Sequence, residues 1–200
     1  MRIYLLRHGE TAYNAQRNYL GRTDLSLSEQ GRNALIQADF APETVYVSPL
    51  RRTAETAEIL FPGTPQIVVP DFREMDFGIF EGKSYRDMEH LPAYRAWVDG
   101  GCLGPIPEGE SMAAFSGRTC AAFEALADRA VDAGEGLLTI VAHGGTQMAV
   151  MERFTLPKRD YFSWRGPLGG GFVLDAAHWR DRRTLELLDT VAYTINPATK

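Results

Sequence analysis

Short apolar runs separated by longer polar or amphipathic stretches are the main pattern along the chain. Each run is long enough for a buried β-strand and too short for most helices. They occur at residues 2–6, 45–47, 66–69, 137–142, 172–174 and 185–188. The run at 137–142 is the most hydrophobic, as is typical of a central strand in a parallel sheet.

Stretches between these runs carry helical periodicity or helix-start signals. The pattern predicts helices over residues 28–40, 48–60, 85–98, 111–133 and 146–154. Pro42 is expected to end the first helix, and Ser48-Pro49 is typical of an N-cap followed by proline at the first helical position. Alternating strands and helices predict an α/β fold, a three-layer α/β/α sandwich with a mostly parallel central sheet.

Residues 71–110 depart from this alternation because they are rich in glycine, proline and aromatic residues. We expect one domain over residues 1–200, in which residues 71 to about 110 form a small helical and loop insertion, or lid, over the functional site. Residues 195–200 are expected to be frayed.

Charge and composition exclude several classes of partner. The net charge of −5 provides no basic excess for binding nucleic acid. No apolar stretch approaches membrane-spanning length, and residues 1–6 are too short for the apolar core of a signal peptide. Two cysteines are too few for a disulfide framework, so a cytoplasmic location is expected. The sequence does not indicate an oligomeric state.

Two histidines follow predicted strands directly, each next to glycine. Arg7-His8-Gly9 leaves the first run, and His143-Gly144-Gly145 leaves the run at 137–142. Ligands of open α/β sheets bind at the carboxyl ends of strands, so both histidines are expected in one crevice. An arginine, an imidazole and a glycine, whose backbone a ligand can approach closely, together suit an anionic group of phosphate size.

A metal site is the first alternative for these histidines, and the sequence does not favour it. It contains no His-x-His, no His-Glu-x-x-His and no cysteine pair at ligand spacing. His90 and His178 are expected on the surface and are assigned no role.

Further charged residues are candidates for the same crevice. Arg51-Arg52 lies in the first turn of a predicted helix, where it could bind phosphate or be a solvated pair. Glu74 and Glu81 lie in the aromatic, glycine-rich part of the insertion. An apolar setting would raise the pKa of either carboxyl and suit it to general-acid catalysis, but pairing with Arg73 or Lys83 is equally open at this stage.

Six motifs in order resemble the histidine phosphatase, or phosphoglycerate-mutase-like, superfamily. They span residues 2 to about 150: Arg7-His8-Gly9-Glu10-Thr11 with Asn14, Gly21-x-x-Asp24-x-x-Leu27-Ser28-x-x-Gly31, Ser48 to Ala57, Glu74 to Gly82, Pro107 to Ser111, and Val141 to Gly145. The second arginine of the family aligns with Arg52. One departure is Met148, which stands where many members carry an arginine.

The resemblance implies a metal-independent phosphomonoester hydrolase with a phosphohistidine intermediate on His8. The other ring nitrogen of His8 must then be held by a hydrogen bond, and we expect a backbone carbonyl near Gly9. Glu74 would act as proton donor and acceptor. The resemblance also implies a set of phosphate-binding residues, namely Arg7, Asn14, Arg52, His143 and Gly144. Of these, Arg7, Arg52 and His143 would also be catalytic, because they would stabilise charge in the transition state. No cofactor is implied, and the partner is a small-molecule phosphomonoester.

Within the family, segments of the insertion most resemble the α-ribazole phosphatase branch. An apolar subsite for a nucleotide-like group could be lined by Phe77, Phe80, Tyr85, Met88, Trp97 and Met112, although core packing is the alternative for most of them. A cofactor-dependent phosphoglycerate mutase, a broad or sugar phosphatase, and a non-catalytic phospholigand-binding module are the other functions considered.

Overall fold

The computed structural model describes residues 1–195, so all but the first residue of the predicted frayed end lie outside the described residues. Its centre is a seven-stranded sheet with the order β3-β2-β4-β1-β6-β7-β5. The strands are β1 (Arg2–Arg7), β2 (Val45–Val47), β3 (Gln66–Val68), β4 (Leu137–Ala142), β5 (Thr155–Leu156), β6 (Gly170–Asp175) and β7 (Leu185–Ala192).

The sheet is mixed, with a parallel half that carries the site. Strands β3, β2, β4 and β1 are parallel neighbours. Strand β6 runs antiparallel to both β1 and β7, whereas β5 pairs with β7 in parallel. The predicted mostly parallel sheet is therefore found, with β6 reversed inside it.

Helices cover both faces of the sheet and give the predicted three layers. Ile3 and Leu5 of β1 pack into one hydrophobic cluster, while Leu6 packs into a second cluster on the opposite face. The helices are α1 (Ala12–Gln16), α2 (Glu29–Ala34), α3 (Arg51–Leu60), α4 (Tyr85–Met88), α5 (Pro92–Asp99), α6 (Met112–Asp132), α7 (Gly144–Phe154) and α8 (Trp179–Arg182). Helices α6 and α7 pack in the first cluster and α3 in the second. No helix within residues 1–195 is long and apolar enough to cross a membrane.

Strand register brings distant motifs together. Arg7 is paired with Ala142 across β1 and β4, and Val47 is paired with Val141 across β2 and β4. The residues that follow these strands, His8, His143 and Ser48, therefore leave the sheet at the same edge.

The predicted helix over residues 28–40 is wrong in length, because α2 ends at Ala34. Leu35 has an extended backbone and bridges Thr194, and the amide of Ile36 donates to the carbonyl of Tyr193. These contacts with Tyr193 and Thr194 thus replace the helical hydrogen bonds of the predicted helix, which was expected to continue to Phe40 and to end before Pro42.

Other helices differ from the prediction for local reasons. Helix α3 begins at Arg51 rather than Pro49, with Leu50 as its N-cap. The predicted helix over residues 85–98 is two helices, divided ahead of Pro92, whose ring does not fit a helix interior. Helix α1 was missed within a stretch predicted to be loop, although Thr11 and Asn14 form its capping box.

Candidate active site

A cavity of about 430 Å³ opens at the carboxyl ends of β1 and β4, between the sheet and the insertion. Five of the predicted site residues line it: Arg7, His8, Asn14, Glu74 and Gly144. Arg52 and His143 are fully buried and are not part of its wall. The imidazoles of His8 and His143 nevertheless lie edge to face, with 5.4 Å between ring centroids, so the two histidines meet as predicted.

His8 is held as one tautomer of a neutral imidazole. Its Nδ1 lies 2.6 Å from the carbonyl oxygen of Gly9, which can only accept, so Nδ1 carries the proton. This is the carbonyl that the sequence led us to expect. Burial lowers the pKa of His8 well below its ordinary value, and the charges of Arg52 and Arg7 lower it further. Nε2 makes no hydrogen bond within residues 1–195 and is left with a lone pair beside the cavity.

His143 is oriented by a residue that sequence reasoning placed elsewhere. Its Nε2 lies 2.7 Å from Oγ of Ser48, the residue expected to cap α3. The same Oγ accepts from the amide of Leu50 at 3.1 Å, and with two lone pairs and one hydrogen it can either donate to Nε2 or accept from it. Nδ1 of His143 is buried with no partner in the described chain. Burial, followed by the charge of Arg52, lowers the pKa of His143 well below its ordinary value.

Arg7 and Arg52 bring positive charge to the histidines. Arg52 donates to the carbonyls of Thr23 and Gly21 at 2.9 and 2.8 Å, and Arg7 donates to the carbonyl of Gly166 at 3.3 Å. Nε of each arginine is buried without a partner within residues 1–195. Burial is the main reason that the pKa of each arginine falls to about 10, so both remain charged at neutral pH.

Glu74 reaches the cavity from the insertion and is held by two backbone amides. Oε1 accepts from the amide of Met75 at 2.9 Å, and Oε2 accepts from the amide of Gly145 at 3.1 Å. Burial raises the pKa of Glu74, whereas the two amides and the charges of Arg52 and Arg7 oppose that rise. A Cβ at position 145 would lie 2.3 Å from Oε1, so only glycine allows the carboxyl this close to α7.

The segment that carries Glu74 is clamped to α6 by Arg118. All five N–H groups of this guanidinium are bonded: two to the carboxylate of Glu110 at 2.8 Å, and three to the carbonyls of Asp71, Arg73 and Glu74 at 2.8 to 3.1 Å. Glu110 in turn accepts from the amide of Asp76 at 3.0 Å. The ion pair therefore fixes the backbone on both sides of Glu74.

Asn14 and Gly144 lie at the cavity in different ways. Oδ1 of Asn14 accepts from the amide and hydroxyl of Thr11, which leaves the amide nitrogen of the side chain to face a ligand. Gly144 is the first residue of α7, and a Cβ there would lie 3.3 Å from the guanidinium carbon of Arg7. The small residue lets Arg7 approach the helix start.

Glu81, the other carboxylate considered, is not part of the cavity wall. It accepts from the amides of Gly21, Arg22 and Phe77 and from the hydroxyl of Thr23. It ties the insertion to the 17–24 loop and pairs with neither Arg73 nor Lys83.

The residues predicted to line an apolar subsite are divided between the cavity and the core. Phe77, Tyr85, Trp97 and Met112 line the cavity, together with Tyr19, Tyr161 and Phe162. Phe80 and Met88 do not, because both are fully buried in the hydrophobic cluster that also contains Ile3 and Leu5 of β1. Met148, which replaces the family arginine, also lies at the cavity.

Two further arginines at the cavity, Arg17 and Arg165, were missed by sequence reasoning. Arg165 stands in an irregular segment before β6, where no motif distinguishes it from a surface residue. Within residues 1–195, no cluster of three or more His, Cys, Asp or Glu side chains could hold a metal ion. His90 and His178 are exposed, as predicted.

Comparison with known proteins gives relatives with several functional names. A "Probable phosphoglycerate mutase GpmB" of Erwinia tasmaniensis is 35% identical over 134 residues, which cover 62% of each chain. A candidate phosphoserine phosphatase of Hydrogenobacter thermophilus is 34% identical over 159 residues, covering 75% of this chain and 76% of its own. The chain thus spans less than two thirds of the first of these relatives.

Solved structures cover nearly the whole chain. The α-ribazole phosphatase of Shigella flexneri has a TM-score of 0.79 at 25% identity and 98% coverage of both chains. A phosphoglycerate mutase of Thermus thermophilus has a TM-score of 0.68 at 28% identity, covering 96% of this chain and 99% of its own. The family model of the histidine phosphatase superfamily (branch 1) matches residues 3–186. The chain therefore belongs to the histidine phosphatase superfamily, a family of enzymes that act on small phosphate-containing compounds.

Proposed function

We propose that the protein is a phosphomonoester hydrolase that needs no metal ion and works through a phosphohistidine on His8. The observation that carries this proposal is the buried, neutral imidazole of His8, with Nδ1 bonded to Gly9 and the lone pair of Nε2 free beside the cavity. Around it, Nε of Arg7 and Nε of Arg52 are buried donors, and Nδ1 of His143 is a buried ring nitrogen, all without partners in the described chain. Unpaired buried polar groups are costly unless a ligand occupies them, and phosphoryl oxygens suit both guanidinium donors and an Nδ1 that carries the ring proton.

The reaction follows in two displacements. Nε2 of His8 attacks phosphorus, and the bond between phosphorus and the ester oxygen breaks while Glu74 gives its proton to that oxygen. Glu74, now a carboxylate, takes a proton from water, the water oxygen attacks the phosphohistidine, and inorganic phosphate leaves His8. Arg7, Arg52 and His143 stabilise the negative charge on the phosphoryl oxygens in both steps, assisted by Asn14 and the amide of Gly144.

For the leaving group, the aromatic side of the cavity supports a bulky alcohol. The ring-bearing residues Phe77, Tyr85 and Trp97 could stack on a nucleoside-like group, and α-ribazole 5′-phosphate is the candidate that the sequence favours. Phosphoglycerate mutase is the second candidate, because relatives carry that name. A mutase would return the phosphoryl group from His8 to a bound product instead of to water.

Trapping the intermediate tests the proposal. The purified protein, treated with EDTA, should hydrolyse p-nitrophenyl phosphate. Rapid quenching of this reaction should capture an acid-labile, alkali-stable phosphoprotein with the phosphoryl group on His8. Hydrolysis that stops with EDTA, or an intermediate on another residue, would contradict it. A strict requirement for 2,3-bisphosphoglycerate with 3-phosphoglycerate, without release of phosphate, would identify a mutase instead. A panel containing α-ribazole 5′-phosphate, 3-phosphoglycerate and sugar phosphates ranks the substrates by kcat/KM.

A further inference from the structure

Arg17 and Arg165 form the basis of a binding site that the proposed reaction does not use. We propose that these two arginines at the cavity bind a second anionic group, a carboxylate or a second phosphate, on the leaving-group side of the substrate. The inference rests on the proposed phosphatase activity and assigns to Arg17 and Arg165 the selection of substrates that carry a second anionic group.

Arg165 is held in place by its neighbours along the chain. Trp164 is fully buried, with its ring edge to face on Phe172 at 5.9 Å between centroids. Gly166 is buried too, and its carbonyl accepts from the guanidinium of Arg7 at 3.3 Å. Because both flanking residues are anchored, Arg165 begins at a fixed point beside Arg7, while its own side chain is exposed at the cavity.

Arg17 lines the same cavity from the end of α1. It ends α1 with a left-handed backbone, φ 59°, a conformation that usually favours glycine or asparagine. Its amide donates to the carbonyl of Asn14, and the adjoining loop is joined to the insertion by paired backbone bonds between Tyr19 and residues 82 and 83. Position 17 therefore carries an arginine where a smaller residue would be the better helix end, and its side chain lies at the cavity.

The charges around the cavity are unbalanced. Glu74 is the only acidic side chain among the described residues that line it, against Arg7, Arg17 and Arg165. Neither Arg17 nor Arg165 makes a side-chain hydrogen bond or ion pair within residues 1–195. After burial, the charge of Arg165 is the largest cause that lowers the pKa of Arg7, which shows that the two guanidinium groups repel each other.

The excess of positive charge at the cavity contrasts with the net charge of the whole chain, which is −5. Arg7 and Arg52 are buried beside His8 and account for the transferred phosphoryl group. The two exposed arginines are left for a group further out, and a guanidinium matches carboxylate and phosphate oxygens equally well. α-Ribazole 5′-phosphate has no second anionic group, so it would contact the aromatic side of the cavity and leave these arginines without a partner.

Matched compounds test the inference on the full chain. 3-Phosphoglycerate and glycerol 3-phosphate differ only in a carboxylate, and fructose 1,6-bisphosphate and fructose 6-phosphate differ in a second phosphate. We measure kcat/KM for each, and the inhibition constant of each against p-nitrophenyl phosphate, which reports binding even where turnover is slow. One charge-assisted contact predicts a preference of about tenfold or more for the doubly anionic member of a pair. The pair with the larger preference distinguishes carboxylate from phosphate.

Variants assign the preference to residues. Arg165→Gln and Arg17→Gln should each weaken binding of the doubly anionic compound of a pair about tenfold more than binding of the other compound. Arg159→Gln is the matched control, because Arg159 belongs to the same segment, lies over the Trp164 ring at 4.6 Å and does not line the cavity. It should leave the ratio within each pair unchanged.

Each remaining outcome overturns one proposal in particular. The second anionic subsite would be excluded if the two compounds of each pair bound with equal affinity, or if Arg165→Gln and Arg17→Gln weakened both compounds of a pair equally. Hydrolysis of p-nitrophenyl phosphate that depends on His8 would still support the proposed function in that case. Absence of that hydrolysis in the wild-type protein would instead overturn the proposed function, and binding preferences measured by calorimetry would still test the subsite.

Discussion

The two sides of the cavity are built by different means. On the sheet side, His8, His143 and Ser48 follow strands whose register is fixed by backbone pairing, so their meeting is a consequence of strand order. On the insertion side, Glu74 sits in irregular backbone and depends on bonds from α6 and α7, more than thirty residues away in sequence. The proposed nucleophile is thus fixed by the core of the fold, while the proposed proton donor is positioned by the side chain of Arg118 and the amide of Gly145.

The largest expected effect lies on the sheet side. Replacing His8 with alanine removes the proposed attacking nitrogen, so kcat for p-nitrophenyl phosphate should fall about 1,000-fold or more. His90→Ala is the control, since His90 is exposed in the insertion. Near-wild-type activity of the His8 variant, measured by release of phosphate, would exclude His8 as nucleophile.

Glu74→Gln should give a loss that depends on the leaving group. Without a proton donor, alkyl phosphates are expected to lose about 100-fold in kcat, while p-nitrophenyl phosphate, whose leaving group needs little protonation, loses less in the first step. Glu81→Gln is the matched control, because Glu81 only ties loops together. It should lower the melting temperature without steepening the leaving-group dependence. A uniform loss across substrates in the Glu74 variant would speak against its role as acid.

Arg118→Met tests whether the insertion side depends on its clamp. Freed from the guanidinium, the backbone around Glu74 should shift, and activity on alkyl phosphates should fall about tenfold with the same leaving-group bias as in Glu74→Gln. Arg129→Met is the matched control on the same helix, where Arg129 pairs with Glu135 away from the cavity. Both variants should lose some stability. A leaving-group dependence that appears in Arg118→Met and not in Arg129→Met would support a role of Arg118 in positioning Glu74. The same leaving-group dependence in both variants would show that Arg118 only stabilises the fold.

The smallest effect concerns protonation on the sheet side. Nitrogen-15 NMR should show His8 as the Nδ1–H tautomer and still neutral as the pH falls through 6.5, because burial and two arginines hold its pKa below that value. Protonation at lower pH removes the lone pair, so the acid limb of kcat/KM should also lie below 6.5. Comparison with His8→Ala assigns the signal. A His8 signal that titrates at or above 6.5 would contradict the buried geometry.

Sequence reasoning succeeded where chemistry and periodicity are local. Arg7-His8 and His143 each follow an apolar run directly, so their place at a strand end could be predicted, as could the α/β fold and the long helix α6. The roles of the predicted site residues stay predictions until they are tested. The true end of α2 could not be inferred, because its hydrogen bonds are replaced by contacts with Tyr193 and Thr194.

The sequence by itself determined which chemical groups are available and on which strand ends they lie, because strand pattern and adjacent glycines act over a few residues. Only the tertiary structure decided that Ser48 orients His143 instead of capping α3, that Arg118 clamps the segment of Glu74, and that Arg17 and Arg165 share one cavity. These pairings join residues far apart along the chain, and a hydrogen bond or a charge acts through distance in space, which the order of residues does not encode directly.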